Sequence, residues 1–163
     1  MMKLITDRTY NDVTRWKELR DKGWNRMTED ERREWLGEII PTPAASKGMY
    51  THNDLNRVEV AVKEILDRMA KLDYVTPDLV VKTDWQYTDE FLHDDMCRYL
   101  SNVKAVRDLL PIDSVTPTIP TSNKRFDYRQ ANNVEAILEK ADTAITNMTN
   151  SWWNAGEIYS GEV

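Results

Sequence analysis

The sequence predicts a mostly α protein: an antiparallel three-helix bundle with an N-terminal helical hairpin before it and a short extended C-terminal tail after it. Three observations carry this prediction. Apolar residues recur at alternating steps of three and four through three long segments, the chain has only five glycines, and its six prolines fall between the periodic segments. A 163-residue chain that is 40% hydrophobic and 31% charged has the balance of a folded globular protein, and one domain is expected. Within it, residues 1–40 form the hairpin, 51–153 the helical core and 154–163 the tail.

The first helix runs from about Thr9 to Lys22 and is closed by Gly23, which tolerates the left-handed backbone that many helix ends adopt. Thr28 and Glu31 form a T-x-x-E capping box that opens the second helix, which continues through Trp35 and Leu36 to Gly37. Pro41 and Pro43 punctuate the loop that follows. Thr51 and Asp54 then mark the start of a helix from about His52 to Leu72, with Leu55, Val58, Val62, Ile65, Met69 and Leu72 on one seam. Ala61 and Leu66 lie beside that seam.

After Pro77, the β-branched run Leu79-Val80-Val81 is too short for a helix and reads as a short strand or an extended link. The second long helix begins after Thr88, carries Leu92, Met96, Tyr99, Val103, Val106 and Leu110, and stops at Pro111. A proline-marked loop to about Phe126 leads to the third, with Ala131, Val134, Leu138, Ala141, Ile145, Met148 and Trp152 on its seam. Leu100, Leu109, Ile137 and Ala144 widen these stripes beyond the two-position line of a simple coiled coil, so each helix should touch two others. The core is thus expected to close within one chain.

Charge and composition narrow the function classes. No run of about 18 apolar residues occurs, and the start MMKLITDRTY has neither an apolar h-region nor a small-residue cleavage site, so no membrane span or signal peptide is expected. A net charge of -6 offers no general attraction to phosphate backbones, and nucleic acid is not an expected partner. The lone Cys97 excludes an intrachain disulfide and suits a reducing compartment.

Candidate chemistry is sparse. His93-Asp94-Asp95 is similar to metal-phosphohydrolase strings, but those need further ligands on other helices, and His52 is the only other imidazole. Solvated charges at a helix start explain the string as well. Cys97 beside Arg98 reads as packing filler, and the adjacent pairs Glu29/Asp30 and Asp94/Asp95 point to different helix sides. Neither G-x-G-x-x-G nor G-x-x-x-x-G-K occurs. No catalytic, cofactor-binding or metal-binding residue is assigned, no cofactor is expected, and an enzyme is not expected.

The six tryptophans admit two readings. Trp16, Trp24 and Trp35 cluster in the hairpin, Trp85 precedes a helix, and Trp152 with Trp153 closes the last one. These rings either staple hairpin and loops to the bundle or form a surface for protein docking or sugar stacking. Because Trp152 continues the seam, Trp153 should face elsewhere.

Several strings taken together are familiar: Leu4-Ile5-Thr6-Asp7-Arg8-Thr9, Lys22-Gly23-Trp24 with Met27-Thr28 and Glu34-Trp35-Leu36, and Asp54-Leu55-Asn56-Arg57-Val58-Glu59. Thr83-Asp84-Trp85, Asp95-Met96, Arg98-Tyr99-Leu100, Asn102-Val103 and the closing Gly156-Glu157-Ile158-Tyr159-Ser160-Gly161-Glu162 complete the set. The chain resembles small, largely uncharacterised tail and baseplate-associated proteins of Firmicutes phages and prophages, with the D-L-N-R-V-E string like the helix start that recurs among them. The resemblance implies a non-enzymatic virion component, assembled in the bacterial host cytoplasm, that docks to other phage tail or baseplate proteins. Tail symmetry implies homotrimers or homohexamers.

On this reading Trp85, Trp153, Ile158 and Tyr159 are the expected contact residues, since they lie at helix ends or off the seams. Asn56, Arg57 and Glu59 are expected on the outer helix face, pairing between helices or subunits. The alternating Glu157-Ile158-Tyr159-Ser160 could add as an edge strand. The alternative is a carbohydrate-engaging receptor-binding accessory or cell-wall-acting module that stacks Trp and Tyr rings on sugars. An intracellular adaptor bundle is a third class.

Overall fold

The structure, a computed structural model, describes residues 3–110, 115–121 and 126–159, with the backbone alone for 152–159. It is mostly helical, and among the described residues no strand forms. The helices are α1 (Tyr10–Lys22), α2 (Glu29–Trp35), α3 (Ala45–Gly48), α4 (His52–Ala70), α5 (His93–Leu109) and α6 (Tyr128–Tyr159), with one 3-10 turn at Trp24–Arg26.

Carboxylates start most of these helices, because first-turn amides lack intrahelical acceptors and a nearby negative charge meets the positive end of the dipole. Asp12 Oδ2 accepts from the Thr9 amide at 2.7 Å while Thr9 Oγ1 accepts from Asp12 N at 3.2 Å, and Thr28 with Glu31 repeats the box at 2.8 and 3.3 Å. Asp54 accepts from Thr51 N at 2.7 Å, and Asp95 from Leu92 N at 3.1 Å. Asp127 accepts from the amides of Arg129 and Gln130 at 2.9 and 3.1 Å. Gly23, at φ 78°, closes α1 in a conformation that other residues adopt only under strain.

The long helices α4, α5 and α6 each contact the other two. Their seams meet in one core of Val58, Val62, Ile65, Met69, Tyr99, Val103, Val106, Val134, Leu138, Ala141, Ile145 and their neighbours. A second, smaller core of Leu19, Met27 and Ala45, with Trp16 and Trp35 against it, holds the N-terminal elements together.

The helix directions correct the antiparallel expectation. After α4 the chain turns back and retraces it: the Lys82 amide reaches Glu59, the Trp85 amide reaches Asn56, and Tyr87 stands against His52 at the start of α4. The second return does the same along α5. Arg107 donates to the Pro117 carbonyl, Ile119 and Pro120 share a hollow with Leu100 and Lys104, and Phe126 arrives on Tyr50, just before α4. Arg57 and Arg68 of α4 meet Glu135 and Asp142 of α6 in the same order. All three long helices therefore run the same way. A 19-residue helix is about 28 Å long, which roughly nine extended residues can span, and residues 71–92 and 110–127 provide more than that.

Two other expectations are corrected. Leu92, assigned to the α5 seam, caps the helix from outside and is 59% exposed, because the seam register begins only at Met96. Residues 154–159, expected as an extended tail and edge strand, continue α6; with no proline among them, the helix carries on through Ala155 and Glu157. Ser160 to Val163 lie outside the described residues. Leu79-Val80-Val81 is an extended link, fastened where Arg98 Nη1 and Asn102 Nδ2 donate to the Val80 carbonyl at 2.9 and 2.8 Å. The four-residue α3, which has no side-chain cap, was not anticipated.

Because α4 and α6 are parallel, their ends can be compared. Arg68, near the end of α4, pairs with Asp142 and donates to Thr146 Oγ1. Beyond Met148, packed on the core, α6 continues to Tyr159, about 16 Å further along its axis.

Candidate functional site

The N-terminal segment is fixed to α4 and α6 by a buried charge cluster. Arg8 Nη2 donates to Asp54 Oδ1 at 2.9 Å and Glu135 Oε1 at 2.7 Å, and Nη1 donates to the Ile5 carbonyl at 2.6 Å. The Ile5 amide donates to Glu135 Oε2 at 2.6 Å, and Arg57 grips Glu135 through Nε and Nη2 at 3.0 and 2.8 Å. Asn132 closes the arrangement by accepting from the Arg8 amide and donating to its carbonyl. Two cations and two carboxylates balance inside the protein, where an unpaired charge would be strongly disfavoured. Burial opposes the Arg57 charge, but its bonds to Glu135 and the field of Asp54 outweigh this and raise its pKa.

Beside the cluster, Arg8 lies 5.4 Å from the centre of the Tyr50 ring, whose hydroxyl hydrogen-bonds that of Tyr99. Burial raises the pKa of both phenols, so they stay neutral. The polar residues of Asp54-Leu55-Asn56-Arg57-Val58-Glu59 thus act inside one chain, which corrects the outward placement expected for Asn56, Arg57 and Glu59. Asn56 holds the Trp85 backbone at both its amide and its carbonyl, and Glu59, fully buried, pairs with Arg98 at 2.7 Å.

The N-terminal unit has its own set of internal carboxylates. Asp12 Oδ1 accepts from the Ala44 amide at 2.7 Å, and Glu34 accepts from the Ala45 amide at 3.0 Å and from Arg15 at 2.8 Å. Burial works to raise both pKa values, but hydrogen bonds from Thr9 and Ala44 on Asp12, and from Arg15 and Ala45 on Glu34, prevail and lower them. The hydrogen bond from Lys22, with the Thr28 amide, holds Glu31 at about 2. Gly48 fits α3 against α1 so closely that a Cβ there would stand 2.2 Å from the Asp12 carbonyl oxygen.

Where this unit meets the starts of α4 and α6, a cleft of about 620 Å³ opens. Its walls carry the rings of Tyr10, Trp16, Phe126 and Tyr128, and its charged lining is Arg8, Lys17, Lys47 and Arg129 against one carboxylate, Asp127. Arg8 is spent on the buried cluster, and Lys47 pairs with Asp7 at 2.6 Å. Lys17 has no ion-pair partner among the described residues, and Arg129 lies on its neighbour Tyr128, bonded to the phenol oxygen at 3.1 Å. Asp127 is occupied with the first amides of α6. Volume, rings and donors together suit a small acceptor-rich ligand.

Of the contact residues expected from sequence, only Trp85 has a described side chain. Trp85 is only 2% exposed, pinned by Asn56, with Phe91 against its ring at 5.3 Å, so it belongs to the core and cannot be a surface contact. Trp153, Ile158 and Tyr159 lie on the last turns of α6, where the side chains are outside the described part. His93 and Cys97 sit one helical turn apart, with Nε2 and Sγ 3.4 Å from each other. Among the described residues no three His, Cys, Asp or Glu side chains gather as a metal site, and no helix is long and apolar enough to cross a membrane.

The residues that matter most to this geometry were not singled out in the sequence. Glu135 had left a signal, since it lies four after Ala131 and three before Leu138, inside the apolar stripe of α6. The cleft had none, being assembled from segments far apart in the chain. Comparison of the chain with known protein families, curated proteins and solved structures finds no match.

Proposed function

We propose that this chain is a non-enzymatic phage virion component, a tail, baseplate or tail-fibre-associated structural protein that docks to copies of itself or to other tail proteins. The observation that carries the reading is the length of α6, at 32 residues against 19 for α4 and 17 for α5. The stripe on α6 keeps its three-and-four spacing past Met148 through Trp152, Ala155 and Tyr159, beyond the level at which α4 ends. A seam that outlasts its partner helix within the chain is a natural seat for another chain. Trp153 and Ile158 flank that stripe, and the resemblance to phage tail proteins points the same way.

Homotrimers or homohexamers are the assemblies this role entails, since tails have rotational symmetry. Light scattering on the full chain after size-exclusion chromatography should give three or six times 19.1 kDa, and the double variant Trp153→Ala/Tyr159→Ala should lower that mass. Tryptic peptides of the chain should be found in particles purified from a host that carries the gene. Their absence from those particles, with a monomer at every concentration, overturns the reading.

A further inference from the structure

We infer that the cleft between the N-terminal unit and the start of α6 is a binding site for a carboxylated sugar, a ligand with flat ring faces and a negative charge. Its volume, about 620 Å³, is within the roughly 300–1,000 Å³ usual for small-ligand sites. The exposed Tyr10 offers a ring face for the C–H side of a pyranose, while Trp16, stacked on Trp35 with Arg20 over it, and Tyr128, with Arg129 over it, complete the apolar wall. Of the lining cations, Lys17 and Arg129 are exposed and in no ion pair among the described residues, Arg129 being bonded to the Tyr128 phenol, in a chain whose net charge is -6. The one lining carboxylate is already committed to helix capping.

The walls are also built in advance. The Arg8–Asp54–Glu135 cluster fixes one side, and the close seat of Gly48 on α1 fixes the other, so little ordering accompanies binding. A carboxylated sugar fits better than an acidic peptide. A peptide gains much of its affinity from main-chain pairing, and here the Thr51 and Arg129 amides already serve Asp54 and Asp127, with no strand edge at hand. The site is independent of docking through the end of α6, since Tyr128 and Tyr159 lie about 46 Å apart along that helix.

The test is an NMR titration of the ¹⁵N-labelled full chain with glucuronate, with glucose, and with an end-blocked Glu-Tyr-Glu peptide. Glucuronate should shift the Trp16 indole N–H, a buried donor with no acceptor among the described residues, together with the amides around Lys17 and Arg129. Affinity should fall as salt is raised. Lys17→Glu/Arg129→Glu, at exposed positions that leave the spectrum dispersed, should weaken binding at least tenfold. Equal shifts with glucose, shifts with the peptide but not with glucuronate, or no shift with any of the three overturns the proposal.

Discussion

The N-terminal unit and the helical core solve the same problem with different materials. The core buries Val58, Ile65, Val103, Val134, Leu138 and Ile145 completely, so a large apolar area holds its helices, with Glu59–Arg98 and Arg57–Glu135 added across it. The N-terminal unit buries only Leu19, Met27 and Ala45 in its own cluster. It makes up the difference with carboxylates that reach between elements: Asp12 and Glu34 bind the amides that lead into α3, and Glu31 ties α2 to Lys22 of α1. Charge-assisted bonds to backbone amides are stronger than neutral ones, but they vanish when the carboxylate is protonated. A small unit held this way should be more sensitive to pH and to close packing than the core it leans on.

The largest test of that contrast lies where the two regions join. Glu135→Ala removes the shared partner of Arg8 and Arg57 and should cost about 3–5 kcal/mol, because the buried Arg8 and the partly buried Arg57 lose their common counterion. Urea denaturation followed by far-UV circular dichroism measures it; a loss below about 1 kcal/mol would mean that the cluster contributes little to joining the regions. Gly48→Ala should cost about 1–3 kcal/mol, since the new methyl must push α3 off the Asp12 carbonyl and the Trp16 side chain. Hydrogen exchange should place that loss in α1 and α3 and leave α4 to α6 protected.

Acid gives the smallest and most graded effect. The pKa values of Asp12, Glu31 and Glu34 are all lowered on folding, so their stabilisation is complete above the ordinary carboxylate range and is lost as pH falls through the folded values, about 2 for Glu31. The Ala44 and Ala45 amides, bonded to Asp12 and Glu34, should lose exchange protection progressively as pH falls below the ordinary carboxylate range. Protection that does not fall at any acid pH at which α4 to α6 stay folded would show that packing, and not these carboxylates, holds α3 in place.

Local features were legible in the sequence because they are written in neighbouring residues. Thr28 with Glu31, Thr51 with Asp54 and the closing Gly23 stand where the helix ends form, and the seam residues from Leu55 to Met69 are buried as their spacing implies. Helix direction was not legible. It depends on how the stretches after α4 and α5 return along those helices, and they have no periodicity; what fastens their described residues is single polar side chains such as Asn56 on Trp85 and Arg107 on Pro117. Trp85 looked available because it falls between helices, yet the return path carries it into the core. The cleft combines α1, α3 and the start of α6, so no local window contains it.

The Arg8–Glu135 pair also constrains the order in which the protein can be completed during synthesis. Its two halves are 127 residues apart, so Arg8 leaves the ribosome long before its carboxylate partner exists. Until α6 emerges, a cation destined for the interior has only Asp54 to meet, and α4 has an apolar seam with one third of its core missing. The helices can form early, but until α6 has been made the segment around Arg8 stays undocked and the seam of α4 stays uncovered. The chain's exposure to misassembly is therefore concentrated in the interval before α6 arrives to join the segment around Arg8 to α4.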